Sequence, residues 1–279
     1  MLKKGSIELK NEREGAKMSL NRIVNVTEGI SKDRMNALKV KGIDTIKSTV
    51  EITEGIYDKA GAIVEISRNA KSLGLKLVVK LDMMTFYKNV IAETGADNRM
   101  FVRKAERGGF ENSYKLISKL VAEGAAPDYV EIETETFSSV PGITLGNEEM
   151  TRLINGCINA AKAAWPMAKI ILSTKDSADN ETAKKWFNRF QVSGGKQFDI
   201  ISLRYELSAE TLYELNNNLS DLSRRFEADM IVDISDMADV ESADIALEDL
   251  DSIMDNVPLG RGFSTIYSDK ELEVATLVA

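Results

Sequence analysis

Pro127-Asp-Tyr-Val-Glu-Ile-Glu-Thr-Glu-Thr136 decides how this chain folds. Val130 and Ile132 alternate with Glu131, Glu133 and Glu135. In an extended strand alternate side chains share a face, so three carboxylates line one side and two aliphatic residues the other. A buried row of like charges is too costly to be neutral packing. It requires cationic partners or belongs to a site.

Outward from this strand the chain alternates strand-like and helix-like segments. Strands are predicted at Arg22–Val26, Ile43–Ile52, Leu75–Leu81, Tyr129–Glu135, Ala168–Ser173, Phe198–Tyr205, Asp229–Ile234 and Gly262–Tyr267. Helices are predicted at Lys32–Lys41, Tyr57–Leu73, Ser113–Glu123, Asn147–Ala164, Asn180–Val192, Ala209–Phe226 and Val240–Met254. Gly42 and Gly74 sit where helices should stop. Asn147 reads as a helix cap, and Gly95, Gly108 and Gly109 as marks of a long connection after the third strand. The pattern is that of an α/β protein, a (β/α)8 TIM barrel over 20–267. It has an N-terminal arm over 1–19 and a strand-like tail over 268–279 in place of the last helix. A doubly wound open sheet is the alternative, but no G-x-G-x-x-G follows the first strand.

Composition narrows the chemistry. The chain has 43% hydrophobic and 29% charged residues and a net charge of −8. Binding driven by phosphate neutralisation does not fit that charge, so no nucleic-acid partner is expected. No apolar run reaches the roughly 18 residues of a membrane span. The basic start, Met1–Lys10, lacks an apolar core, so no signal peptide and synthesis in the cytoplasm are expected. The absence of histidine excludes imidazole bases and His-ligated metals. The acidic run Asp236–Asp244 lacks the spacing of a calcium loop, so neither a metal nor another cofactor is expected. The lone Cys157 sits in an apolar helical stretch and reads as a core thiol.

Several stretches together resemble the endo-β-1,4-galactanases: Gly42-Ile-Asp-Thr-Ile-Lys47, Leu73–Asp82, Pro127–Ile132, Leu153–Ser173, and Trp186-Phe followed by Phe198–Tyr205. That resemblance implies a retaining glycoside hydrolase barrel and a polysaccharide ligand. It also implies a glutamate acid/base ending strand four and a glutamate nucleophile ending strand seven, about 5–5.5 Å apart. The acid/base position falls on Glu135, but its preceding asparagine is Thr134. The nucleophile position falls on Ile234, and alternation from there turns Asp233 away from the barrel axis. The family's strand-two arginines fall on Lys47 and Thr49, and its strand-three and strand-five histidines on Asp82 and Ser173. Tyr205 is kept, beside Arg204 and Glu206.

Glu135 is thus the candidate catalytic residue, with Lys47, Asp82, Glu133, Arg204 and Tyr205 as candidate binding residues. With Lys47, Lys80 and Arg204 facing the same interior, an ion-pair network is the favoured reading of the acidic strand. Phe86, Tyr87, Phe137, Tyr205 and Tyr267 are the aromatics expected near the strand ends, and Trp165 and Trp186 are expected to be packing residues. The expectation is a barrel without hydrolytic activity that binds carbohydrate or serves a structural role. Its extra strand-like ends suit homo-oligomers or a phage or phage-tail-like particle. An active endo-glycosidase with a relocated nucleophile is the alternative.

Overall fold

A computed structural model describes residues 22–53, 56–95, 97–134, 142–174, 180–204, 209–234, 252–257 and 260–266. The arm at 1–19, the tail at 268–279, Glu135, Phe137, Tyr205, Tyr267 and most of the helix expected at Val240–Met254 lie outside them.

Eight parallel strands close into one barrel in chain order. They are β1 Arg22–Val26, β2 Thr45–Glu51, β3 Lys76–Asp82, β4 Tyr129–Glu133, β5 Lys169–Thr174, β6 Ile200–Arg204, β7 Asp229–Asp233 and β8 Gly260–Ile266. β8 pairs with both β7 and β1, which closes the ring. The helices are α1 Lys32–Val40, α2 Ile56–Ser72, α3 Met84–Thr94, α4 Asn98–Ala122, α5 Asn147–Ala164, α6 Asn180–Val192 and α7 Ala209–Phe226. A helical turn at 252–256 precedes β8.

Strands β1 to β7 bury residues on both faces, as parallel sheets require. The outward face is aliphatic on Ile46, Val50, Leu77, Val79, Leu81, Val130, Ile132, Ile170 and Leu172, and it joins the helices in the main core. The inward face carries a second, smaller apolar cluster of Ile23, Val78, Tyr129, Ile171, Ile200 and Ile231. This cluster fills the N-terminal half of the lumen.

The connection expected after β3 is two helices, α3 and the 25-residue α4. Gly108 and Gly109 lie inside α4 and do not mark a loop. A Cβ on Gly108 would stand 2.5 Å from the Phe86 ring, and one on Gly109 would stand 3.2 Å from Met83 Cε. These glycines let α3 lie close against α4, which offsets their cost inside a helix. Phe86 and Tyr87 are buried at this contact, so neither is a platform at the barrel mouth. Burial also pushes the Tyr87 phenol well above the usual tyrosine range. Trp165 and Trp186 pack against the main core, with Trp186 stacked on Phe190.

Asn147 is the first residue of α5, and Gly146 is its cap. The cap works through Glu149, whose carboxylate accepts the Gly146 N–H at 2.9 Å.

Candidate functional site in the barrel lumen

Above the apolar cluster the lumen turns from hydrocarbon to charge. The change follows from alternation. Tyr129 faces inward on β4, so Glu131 and Glu133 do too. On β3, Val78 leads to Lys80; on β6, Ile200 leads to Ser202 and Arg204; on β7, Ile231 leads to Asp233.

The deepest charged layer centres on Lys47 of β2. Its Nζ lies 3.2 Å from Glu131 Oε2 and 3.4 Å from Asp233 Oδ2. Strands β2, β4 and β7 are not neighbours, so these side chains meet across the lumen. All three are buried: the Lys47 and Glu131 side chains are each 2% exposed. Burial by itself would lower the Lys47 pKa. The Glu131 and Asp233 carboxylates outweigh it through their charge and hydrogen bonds, and hold Lys47 above the ordinary lysine value. The next layer begins with Lys80, whose Nζ lies 3.0 Å from Glu133 Oε2 and 3.9 Å from Glu131 Oε1. Arg204 sits beside Asp233 in strand register.

Three cations and three carboxylates therefore share this part of the lumen. The interior ion-pair network expected from the sequence is present. Among the described residues, Lys80, Glu133, Ser173, Ser202, Arg204 and Asp233 line a cavity of about 10 Å³. That is room for about one water molecule, far less than a sugar ring needs. The Ser173 and Ser202 hydroxyls have no hydrogen-bond partner among the described residues.

The facing of Asp233 differs from expectation. Ile234 packs with the outer core, and Asp233 points into the lumen. The reason is the helix layer. Met230, Val232 and Ile234 form an unbroken aliphatic face that must meet the helices, which leaves Ile231 and Asp233 for the axis. The strand sequence Asp229-Met-Ile-Val-Asp-Ile carries this signal, with both acids on the other face. Laying the family's nucleophile position on Ile234 hid it.

Among the candidate residues, Lys47, Glu133 and Arg204 come together in the lumen. Asp82 has a local role: its Oδ1 accepts the Met84 N–H at 2.9 Å, at the turn into α3. Glu135 and Tyr205 lie outside the described residues. Asp233, which sequence reasoning set aside, is the acidic group on β7 that joins the site. Among the described residues no cluster of three or more Cys, Asp or Glu is placed to hold a metal ion. Nor is any described helix long and apolar enough to cross a membrane. Cys157 is fully buried, and burial raises its thiol to about 12.

A family model described as glycosyl hydrolase family 53 matches residues 10–259. The chain belongs to glycosyl hydrolase family 53. Solved structures agree on the fold of this family-53 chain. The GH53 catalytic domain of Ignisphaera aggregans superposes with a TM-score of 0.67 at 13% identity, covering 89% of this chain and 84% of that one. A GH10 xylanase of Thermobacillus composti gives 0.60 at 12% identity, over 90% and 87%. A GH18 chitinase of Pseudoalteromonas aurantia gives 0.60 at 11%, over 93% and 100%. A search of curated proteins found no match. Identities this low speak for the barrel alone.

Proposed function

We propose that this family-53 barrel does not cleave glycosidic bonds and acts as a carbohydrate-binding or structural module within a larger assembly, such as a phage or phage-tail-like particle. One observation carries the first half of that reading. Asp233, the lumen-facing acid of β7, is held with Glu131 on the buried ammonium of Lys47. A nucleophile must reach an anomeric carbon at the mouth. Asp233 is buried and paired with Lys47, and its side chain is one methylene shorter than the glutamate the family uses. The second half is supported by strand-like segments at Ser6–Lys10 and Glu271–Ala279, which can add to a neighbour's sheet edge.

The facing of Asp233 also favours a second reading. Carboxylates on β4 and β7 are where a retaining hydrolase keeps its pair. An active endo-glycosidase would use Glu135 as acid/base and Asp233 as nucleophile. The deciding assay measures product release from β-1,4-galactan and a panel of other polysaccharides by the parent chain, Glu135→Gln and Asp233→Asn. The expected result is no turnover in any of them, with retained binding on a glycan array supporting the carbohydrate-binding form. Turnover that either substitution abolishes overturns the proposal in favour of the hydrolase.

A further inference from the structure

Among the described residues, the outer surface holds a pocket larger than the lumen cavity. Between α4 and α5 lies a pocket of about 580 Å³, with Gly156 and Phe110 among its lining residues. Its charge is opposite to that of the molecule. Arg103, Arg107, Arg152 and Lys196 line it against two carboxylates, Glu106 and Glu111, while the chain carries −8. Arg107 and Arg152 are paired to those two carboxylates. Arg103 and Lys196 have no carboxylate partner among the described residues and are exposed. The Lys196 backbone is fixed by Asn155, whose Oδ1 accepts its N–H at 2.8 Å, and Lys196 lines the pocket. Phe110 stacks with Tyr114, which is 41% exposed and extends an apolar edge beyond the pocket.

This combination fits an acidic, amphipathic polypeptide, and the chain contains one. Residues 235–251 hold seven Asp or Glu and no Lys or Arg, interspersed with Met237, Val240, Ile245, Leu247 and Leu250. We propose that the α4–α5 pocket receives the 235–251 segment of a second copy of this chain. Topology makes the contact intermolecular. The pocket is lined by the helices before and after β4, whereas 235–251 connects β7 to β8, strands that stand across the eight-stranded ring from β4. Pocket and segment are different parts of the chain, so the contact is head-to-tail and leads to a ring or an open filament. The charges supply steering and partner choice, and the Phe110–Tyr114 edge supplies apolar area. This deepens the assembly half of the proposed function and does not depend on whether the barrel hydrolyses galactan.

The test is sedimentation velocity of the full chain across a concentration series. It is run at about 0.01 M and about 1 M salt, where the screening length falls from about 30 Å to about 3 Å. The proposal expects concentration-dependent association at low salt that weakens at high salt. Arg103→Glu with Lys196→Glu should weaken it about tenfold or more, because like charges then face each other. Asp244→Lys with Glu248→Lys should do the same, and mixing the two double variants should restore association between them. Removal of 1–19 and 268–279 should leave it in place. A monomer under all conditions overturns the inference. So does association that ignores both charge reversals, or that vanishes on removal of the ends alone. That last outcome would leave the strand-like ends as the means of assembly, and the galactan assay judges the absence of hydrolysis separately.

Discussion

The two halves of the barrel lumen are built from the same eight strands and solve opposite problems. The N-terminal half is filled by Ile23, Val78, Tyr129, Ile171, Ile200 and Ile231 and asks only for good packing. Two residues further along the same strands, the inward positions become Lys80, Glu131, Ser173, Ser202 and Asp233, and packing gives way to charge matching. The contrast teaches that alternation fixes where a side chain points, not what it must be. An apolar filling was available to the upper layer and was not used. Buried ion networks are weak devices for stability.

The largest effect should come from breaking the charge balance. Lys47→Ala leaves Glu131 and Asp233 buried without their shared cation and should cost about 3–5 kcal/mol in urea unfolding. Ile171→Val in the lower layer should cost about 0.5–1.5 kcal/mol. If the lysine variant proved the milder of the two, the contrast between the halves would fail. Replacing the whole triad by Lys47→Met, Glu131→Leu and Asp233→Leu should be neutral, or stabilising by about 1–4 kcal/mol.

Gly108→Ala should follow at about 1–3 kcal/mol, since the new methyl group meets the Phe86 ring. This tests the helix layer by the same unfolding measurement, without touching either half of the lumen. A smaller but more diagnostic effect lies in alkaline pH. Lys47 has a raised folded-state value, so its contribution is whole below the ordinary lysine value of 10.5 and is lost as pH climbs through the higher folded value. The lysine's share of the unfolding free energy should be flat near neutrality and decline above about pH 10.5. Tyr87 and Cys157, also raised by burial, add alkaline declines of their own, so Lys47→Met should make the decline shallower without abolishing it. The smallest effect should be at Cys157. Its buried thiol, raised to about 12, should resist a thiol reagent at pH 8 in the native state and react on unfolding. Ready native labelling would show that the α4–α5 packing opens.

Much of the barrel was legible because strand alternation and helix-stopping glycines are local signals. Arg22–Val26 and Asn147–Ala164 were read to the residue. The α3–α4 pair was not, because Gly108 and Gly109 look the same in sequence whether they turn a chain or admit a neighbouring helix. The site was legible in its β4 half, where Val130 and Ile132 separate the acids cleanly. It was misread on β7, where the position of one functional residue was carried over from the family. The three aliphatic residues of that strand's outer face had already settled which way Asp233 points. Which cation meets which acid across the axis depends on the stagger of strands that are distant in sequence, and no local pattern encodes that.

The bond between the first strand and the last has a consequence for biosynthesis. Ile23 aligns with Ser264, so β1 must wait, with one edge unpaired, until β8 has left the ribosome. Throughout translation the nascent sheet offers its backbone donors and acceptors to any strand that passes. Refolding from denaturant, where both ends are available from the start, should escape that interval.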